Sequence, residues 1–178
     1  ERIQYANQII GVTEKLSISI NNILLLSKIS IENIKVEKED FNLSESIREI
    51  LIMSENKWSA KKLSIHLELQ DFFYLGNKEM IEEVWNNLIG NAIKFSDDGG
   101  QLKIKSFQNK NTAVVIISDD GIGMSKETQK KIYDKFFQAD TSHSQEGAGL
   151  GLSIVKRIIT LHQGRIHIDS ELNRGTTI

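Results

Sequence analysis

The chain contains no cysteine and no proline. The first absence removes disulfides, thiol nucleophiles and cysteine-bound zinc, and it fits a reducing compartment. The second excludes any motif that needs a proline at fixed spacing. Charge of one sign is also lacking: 22 Lys and Arg against 24 Asp and Glu leave a net charge of −2, so neither nucleic acid nor an anionic membrane is expected as the main partner. Uninterrupted apolar runs approaching the roughly 18 to 20 residues of a bilayer span are missing, so no membrane segment and no signal peptide are expected. At 178 residues, 39% hydrophobic and 26% charged, the composition excludes disorder and collagen and suits one well-buried core with an appendage.

What is present begins with a helix. From about residue 1 to 31, Ile9, Val12, Leu16, Ile20, Ile23 and Leu26 recur every three or four positions, giving one apolar stripe. The stripe is longer than a terminal helix on a small domain needs, which points to a coiled coil or bundle. The chain opens inside this helix and stops one residue after Gly175-Thr176-Thr177, so it is expected to be a piece of something larger.

The middle of the chain alternates strands and helices. Ile34 to Glu39 alternates as an edge strand would, and Asn42 with Glu45 forms a capping-box-like start to a helix from about Leu43 to Ser59, with Ile47, Ile50, Leu51 and Trp58 facing inward. Strands are expected over Leu63 to Leu69 and Phe72 to Leu75. An antiparallel pair is expected over Gln101 to Phe107 and Thr112 to Ser118, a capped short helix over Ser125 to Ile132, and a strand over Arg165 to Ser170.

Between these lies Glu82 to Ser96, a helix with two purposes. Ile81, Val84, Leu88, Ala92 and Phe95 form its apolar face, while Asn87, Asn91 and Lys94 share roughly a 60° arc. Asparagine is a poor residue for an exposed helix interior, and two of them one turn apart ask for a use. They suit amide ligation of a hard cation such as Mg2+, with the lysine for accompanying phosphates, or simple capping of nearby loops.

Three further stretches suit a nucleotide. In Asp119-Asp120-Gly121-Ile122-Gly123, two glycines allow close backbone approach to a flat ligand, and a carboxylate can accept from an exocyclic amine; a plain loop has the same pattern. Gly147-Ala148-Gly149-Leu150-Gly151 leads into an apolar helix, so its free amides and the helix dipole make an anion site. Gln138 to Glu146 has no hydrophobic period and is expected to be a lid.

Asn87-Leu-Ile-Gly-Asn91-Ala-Ile-Lys94-Phe95 resembles the asparagine box of the sensor histidine kinases, within the wider group of Bergerat-fold ATPases. Asp119 to Met124, Tyr133 to Phe137, Gly147 to Leu152 and Gly175-Thr176-Thr177 resemble the family's later glycine and phenylalanine boxes, in the family's order. The resemblance covers residues 34 to 178, while Leu24 to Ile29 looks like the end of the second helix of the dimerisation hairpin. It implies an α+β fold, a two-layer Bergerat-type sandwich with a mixed sheet packed on helices, preceded by one long N-terminal bundle helix (1–33) and with its last strand lost after Ile178.

The resemblance further implies ATP and Mg2+. Asn91 would hold the metal and Asn87 would bind the cofactor; Lys94, Gly147, Gly149, Leu150 and Gly151 would meet the phosphates, with Asn87 and Lys94 serving the chemistry. Phe95, Asp119, Gly121, Gly123 and Thr176 would surround the base and sugar. The reaction would be γ-phosphoryl transfer to a histidine and then to an aspartate of a response-regulator receiver domain, in the cytoplasm, by a homodimer joined through the N-terminal helix, the parent being compatible with a membrane anchor. None of the four histidines precedes an acidic residue with a proline four positions on, so the phosphoacceptor is expected outside this chain. In the hydrolytic branches the position of Asn87 is typically a water-activating Glu, which favours transfer over hydrolysis. A serine kinase of the anti-sigma-factor type and a non-catalytic nucleotide sensor are the alternatives.

Overall fold

The computed structural model describes residues 2–31, 34–139 and 149–178. In chain order the elements are α1 (Arg2–Ile29), β1 (Glu39–Asn42), α2 (Leu43–Met53), α3 (Glu55–Ala60), β2 (Ser64–Leu69), β3 (Phe73–Gly76), α4 (Lys78–Phe95), β4 (Gln101–Asn109), β5 (Thr112–Asp119), α5 (Lys126–Lys131), α6 (Gly151–Leu161), β6 (Asp169–Glu171) and β7 (Gly175–Thr177). The main sheet has the order β2-β4-β5-β7-β6; β2 and β4 are parallel and the other pairs antiparallel. The parallel pair requires a crossover, and β3 with α4 supplies it. On the way β3 leaves the main sheet and pairs with β1.

One face of the sheet is apolar and the other polar because β4 alternates. Leu102, Ile104 and Ser106 are buried while Gln101, Lys103 and Lys105 face out. Against the inner face lie Ile47, Ile50 and Leu51 of α2, Ile81, Val84, Trp85, Leu88, Ile89, Ala92 and Ile93 of α4, and Ile154, Val155 and Ile158 of α6. Each large apolar side chain removed from water in this layer is worth about 1.5 to 3 kcal/mol. Polar atoms inside it are paired: Ser44 Oγ donates to Gln70 O at 2.6 Å and meets Ser106 Oγ at 2.9 Å, and Trp85 Nε1 donates to Ser46 Oγ at 3.1 Å. This is the two-layer mixed-sheet sandwich with a preceding long helix that the sequence implies.

Several boundaries differ from the expected ones. The helix expected over Leu43 to Ser59 is broken at Ser54 (φ −93°, ψ 4°), and Trp58 turns its indole N–H back to Leu51 O at 2.9 Å. The first strand is Glu39–Asn42, ending where the Asn42 side chain accepts from Glu45 N at 3.0 Å and starts α2. β6 is limited to Asp169–Glu171, since those are the residues β7 pairs with. Gly175–Thr177 is itself a strand, and just past it Ile178 and Ile117 exchange both backbone bonds at 2.9 Å.

α1 bears on two expectations. Ile9–Ile29, with mean hydropathy 1.4, is long and apolar enough by length and composition to cross a membrane, although a bilayer interior would have to take Glu14, Lys15, Asn21 and Asn22. Apolar residues also extend beyond one stripe: Ile10 and Ile18 are exposed as well as Ile9, Val12, Leu16, Ile20 and Ile23. Its C-terminal end belongs to the globular unit. Leu26 and Ile29 are buried in the core, and Arg157 of α6 donates from Nε to Ile29 O at 2.7 Å.

Candidate nucleotide-binding site

α4 places the site because it is fixed at both ends. The Asn77 side chain accepts from Met80 N at 2.9 Å, and Asn77 N–H donates to His162 Nε2 at 3.1 Å while His162 Nδ1 lies 2.9 Å from Ile158 O. The ring therefore accepts at Nε2 and donates at Nδ1, which is a structural role. At the other end, Lys61 Nζ donates to Lys94 O and to Ser96 O, both at 2.7 Å. These bonds bracket Phe95, whose own carbonyl accepts from Ile122 N at 3.1 Å.

That last bond brings a first cluster together. A Cβ on Gly121 would lie 2.1 Å from Phe95 O, so only glycine lets the β5 loop lie against the end of α4. Gly123 (φ +61°) packs equally closely on Glu171, where a Cβ would lie 1.9 Å from the carbonyl oxygen. Asp119 Oδ1 accepts from Gly121 N at 3.1 Å, and Thr176, its register partner across β5 and β7, also gives it a backbone N–H. Burial pushes the Asp119 carboxyl above the usual carboxylate range, the two backbone donors pull it back, and neighbouring Asp120 adds to the rise. Phe95, Asp119, Gly121, Gly123 and Thr176 thus form one cluster.

Two turns back along α4, about 12 Å away by helix rise, Asn87 faces the start of α6. A Cβ on Gly151 would lie 2.2 Å from Asn87 Oδ1. α6 begins without a side-chain cap and with no acidic residue in its first turn, which leaves early N–H groups and the positive dipole end for an anion. Gly149 (φ +67°) is clasped by Phe136, whose N–H donates to Gly149 O at 2.9 Å. Phe136 makes this contact through its backbone and is itself 65% exposed, while Tyr133 and Phe137 are half-buried. Asn91 and Lys94 lie between the two clusters on α4, both half-buried, with Lys94 Nζ 4.7 Å from the Phe95 ring centroid. Gly147 and nearly all of the lid expected over Gln138 to Glu146 lie outside the described residues, as does His143.

Sequence reasoning gave no role to Glu83 or Lys61. Glu83 accepts from Asn87 Nδ2 at 2.7 Å; Lys61 and His162 act from distant points of the chain, and nothing in the local pattern marks them. Among the described residues no cluster of three His, Cys, Asp or Glu could hold a metal ion. A cation here would need amide and ligand oxygens, and the half-buried Asn91 amide, bonded to no described residue, suits Mg2+, which keeps few protein ligands and shares phosphates.

Residues 76–178 match the family described as histidine kinase-, DNA gyrase B-, and HSP90-like ATPase. The heme sensor protein HssS of Staphylococcus saprophyticus is 38% identical over 99% of this chain, which spans 38% of that relative's length. The catalytic domain of histidine kinase ThkA aligns with a TM-score of 0.70 at 30% identity, covering 79% of this chain and 93% of that one. Histidine kinase ThkA in complex with response regulator protein TrrA aligns with a TM-score of 0.76 at 26% identity, covering 98% of this chain and 48% of that one. With its asparagine-box helix, its Asp119 cluster and the glycine-rich start of α6 in one sandwich, the chain belongs to the histidine kinase-, DNA gyrase B-, and HSP90-like ATPases, and within them to the catalytic ATP-binding domains of sensor histidine kinases.

Proposed function

We propose that the chain binds Mg-ATP along α4 and passes the γ-phosphoryl group to a histidine outside the chain, as the catalytic unit of a two-component sensor kinase. The observation that carries the reading is the span of α4, with the Phe95 and Asp119 cluster at one end and Asn87 against the start of α6 at the other. Asp119 accepts from the adenine amine, Gly121, Gly123 and Thr176 shape the pocket, and Phe95 covers the base or sugar. Lys94, Gly147, Gly149, Leu150 and the amides at Gly151 take the phosphates, Asn91 holds the metal, and Asn87 binds beside them at the phosphate end. Bound Mg2+ supplies charge neutralisation across the phosphates, and the residues of the chain supply position.

The Asn at position 87 has no basic lone pair to take a proton from water at neutral pH, which favours transfer over hydrolysis. We place residues 1–33 as the second helix of a dimerisation hairpin and residues 34–178 as the catalytic domain. The exposed Ile9, Val12, Leu16, Ile20 and Ile23 lie on α1 away from its docked Leu26 and Ile29 and form the dimer face. ATP use puts the work in the cytoplasm, and a receiver-domain aspartate follows as the next acceptor.

The test is incubation of the chain with γ-labelled ATP and a separately supplied phosphotransfer hairpin. Label on the hairpin that is lost in acid and kept in base is the expected phosphohistidine. Acid-stable phosphoserine, or free phosphate alone, contradicts the reading and favours a serine kinase or a hydrolase.

A further inference from the structure

Glu83 lies on α4 one turn before Asn87 and half-buried, and among the described residues its carboxylate makes no ion pair. Its partner is the Asn87 amide: Nδ2 donates to Glu83 Oε1 at 2.7 Å and to the Glu83 main-chain oxygen at 2.9 Å. A carboxylate oxygen and a carbonyl are both acceptors, so the amide can turn only its NH2 toward them. The other end of the amide is then fixed by elimination. Oδ1 faces the first residue of α6, close enough that a Cβ on Gly151 would sit 2.2 Å from it.

An asparagine without such a holder can present either end to a ligand. The two ends differ in kind, because NH2 donates to phosphate oxygens whereas Oδ1 accepts and suits a cation or its water. We propose that Glu83 is a positioning residue that locks Asn87 with its amide oxygen toward the phosphate end of the nucleotide site, making Asn87 an acceptor on the cation side there and not a phosphate donor. This rests on the reading of α4 and α6 as a nucleotide site, and it extends that site to a residue outside the asparagine box. It also explains why α6 must begin with glycine. A side chain at 151 would push the locked amide out of place, whereas an unlocked one could turn away.

Two variants separate the holder from its bulk. Glu83→Gln keeps an acceptor oxygen, and Glu83→Met keeps length and volume without one. In the 15N-labelled chain without nucleotide, the Asn87 side-chain amide is expected to exchange slowly in the parent and in Glu83→Gln, and to lose its protection in Glu83→Met. In calorimetric titrations with a non-hydrolysable ATP analogue, replacing chelator by Mg2+ tightens binding in the parent. Glu83→Gln should keep that gain within about twofold, and Glu83→Met should lose about tenfold of it with binding in chelator unchanged. An amide still protected in Glu83→Met, or an undiminished Mg2+ gain, overturns the proposal. Equal weakening with and without Mg2+ overturns it too, in favour of a general structural role. Asp119→Asn in the same series keeps the two levels apart: if it binds like the parent, the nucleotide site itself has been misread and the proposal falls with it, whereas if it alone weakens binding the site stands and only the role of Glu83 is lost.

Discussion

Asp119 holds its carboxyl where burial disfavours ionisation and pushes it above the usual carboxylate range, although Gly121 and Thr176 each lend it a backbone donor. A carboxyl whose folded value lies above its unfolded one contributes stability below the unfolded value and loses it as pH rises through the folded value. The ionised Asp119 is therefore a cost to the unliganded protein near neutrality. Asp119→Asn should melt at or above the parent at neutral pH, with the difference shrinking as pH falls into the carboxylate range, while nucleotide affinity drops. Thermal melts followed by circular dichroism across that range check this, and a variant melting below the parent at neutral pH contradicts it. Gly123 is the opposite case, a residue that has no chemistry and no substitute. Its φ of +61° and the Glu171 carbonyl 1.9 Å from a would-be Cβ predict that Gly123→Ala loses about 2 to 4 kcal/mol in chemical denaturation. An unchanged midpoint would show that the β5 loop can relax. Both residues stood out in the sequence, because Asp-x-Gly-x-Gly marks an open backbone, but the Phe95 and Glu171 carbonyls that press on the glycines come from distant parts of the chain and were not legible.

Among the elements, α4 was the most legible, since apolar and working faces on one helix leave separate periodic traces. What holds it was not. Lys61 caps its C-terminus from a position 33 residues before Lys94, and a pair of lysines after a helix carries no mark of that duty. Lys61→Met leaves the carbonyls of Lys94 and Ser96 without their charged donor and should cost about 1 to 3 kcal/mol, read as a lower denaturation midpoint; a midpoint equal to the parent's would make the two 2.7 Å bonds energetically idle. The break at Ser54 was also hidden, because Trp58 keeps the apolar period of one helix while its indole bonds back to Leu51 across the break. β6 was over-extended for a related reason: alternation persists through residues 165–168, but strand length is set by the three residues that β7 offers as partners.

In the whole molecule, α1 joins two roles. Its last turn is core, tied by Arg157 to α6, and the long remainder exposes Leu16 at 59% and Ile20 at 48%. Such a face seeks cover. The chain is expected to self-associate with rising concentration in sedimentation velocity, and Leu16→Glu with Ile20→Glu should give a monomer whose nucleotide affinity is unchanged. A parent that stays monomeric throughout contradicts the dimer face. The helix showed plainly in the sequence, but which of its faces docks did not, because apolar residues lie on more than one side. The overall sandwich was legible because the boxes recur in order, each fixed by a backbone need or a ligand; the sheet order and the place of β3 depend on pairings far apart in the chain.

The proposed Mg-ATP site runs along α4 from Asp119 to the start of α6. Calorimetric titration of the folded chain with a non-hydrolysable ATP analogue, with Mg2+ and again with chelator, in the parent, Asn91→Ala and Asp119→Asn, tests it most directly. The prediction is metal-dependent binding in the parent, loss of the metal dependence in Asn91→Ala and loss of binding in Asp119→Asn. A folded parent that does not bind, or variants that bind as the parent does, would contradict it.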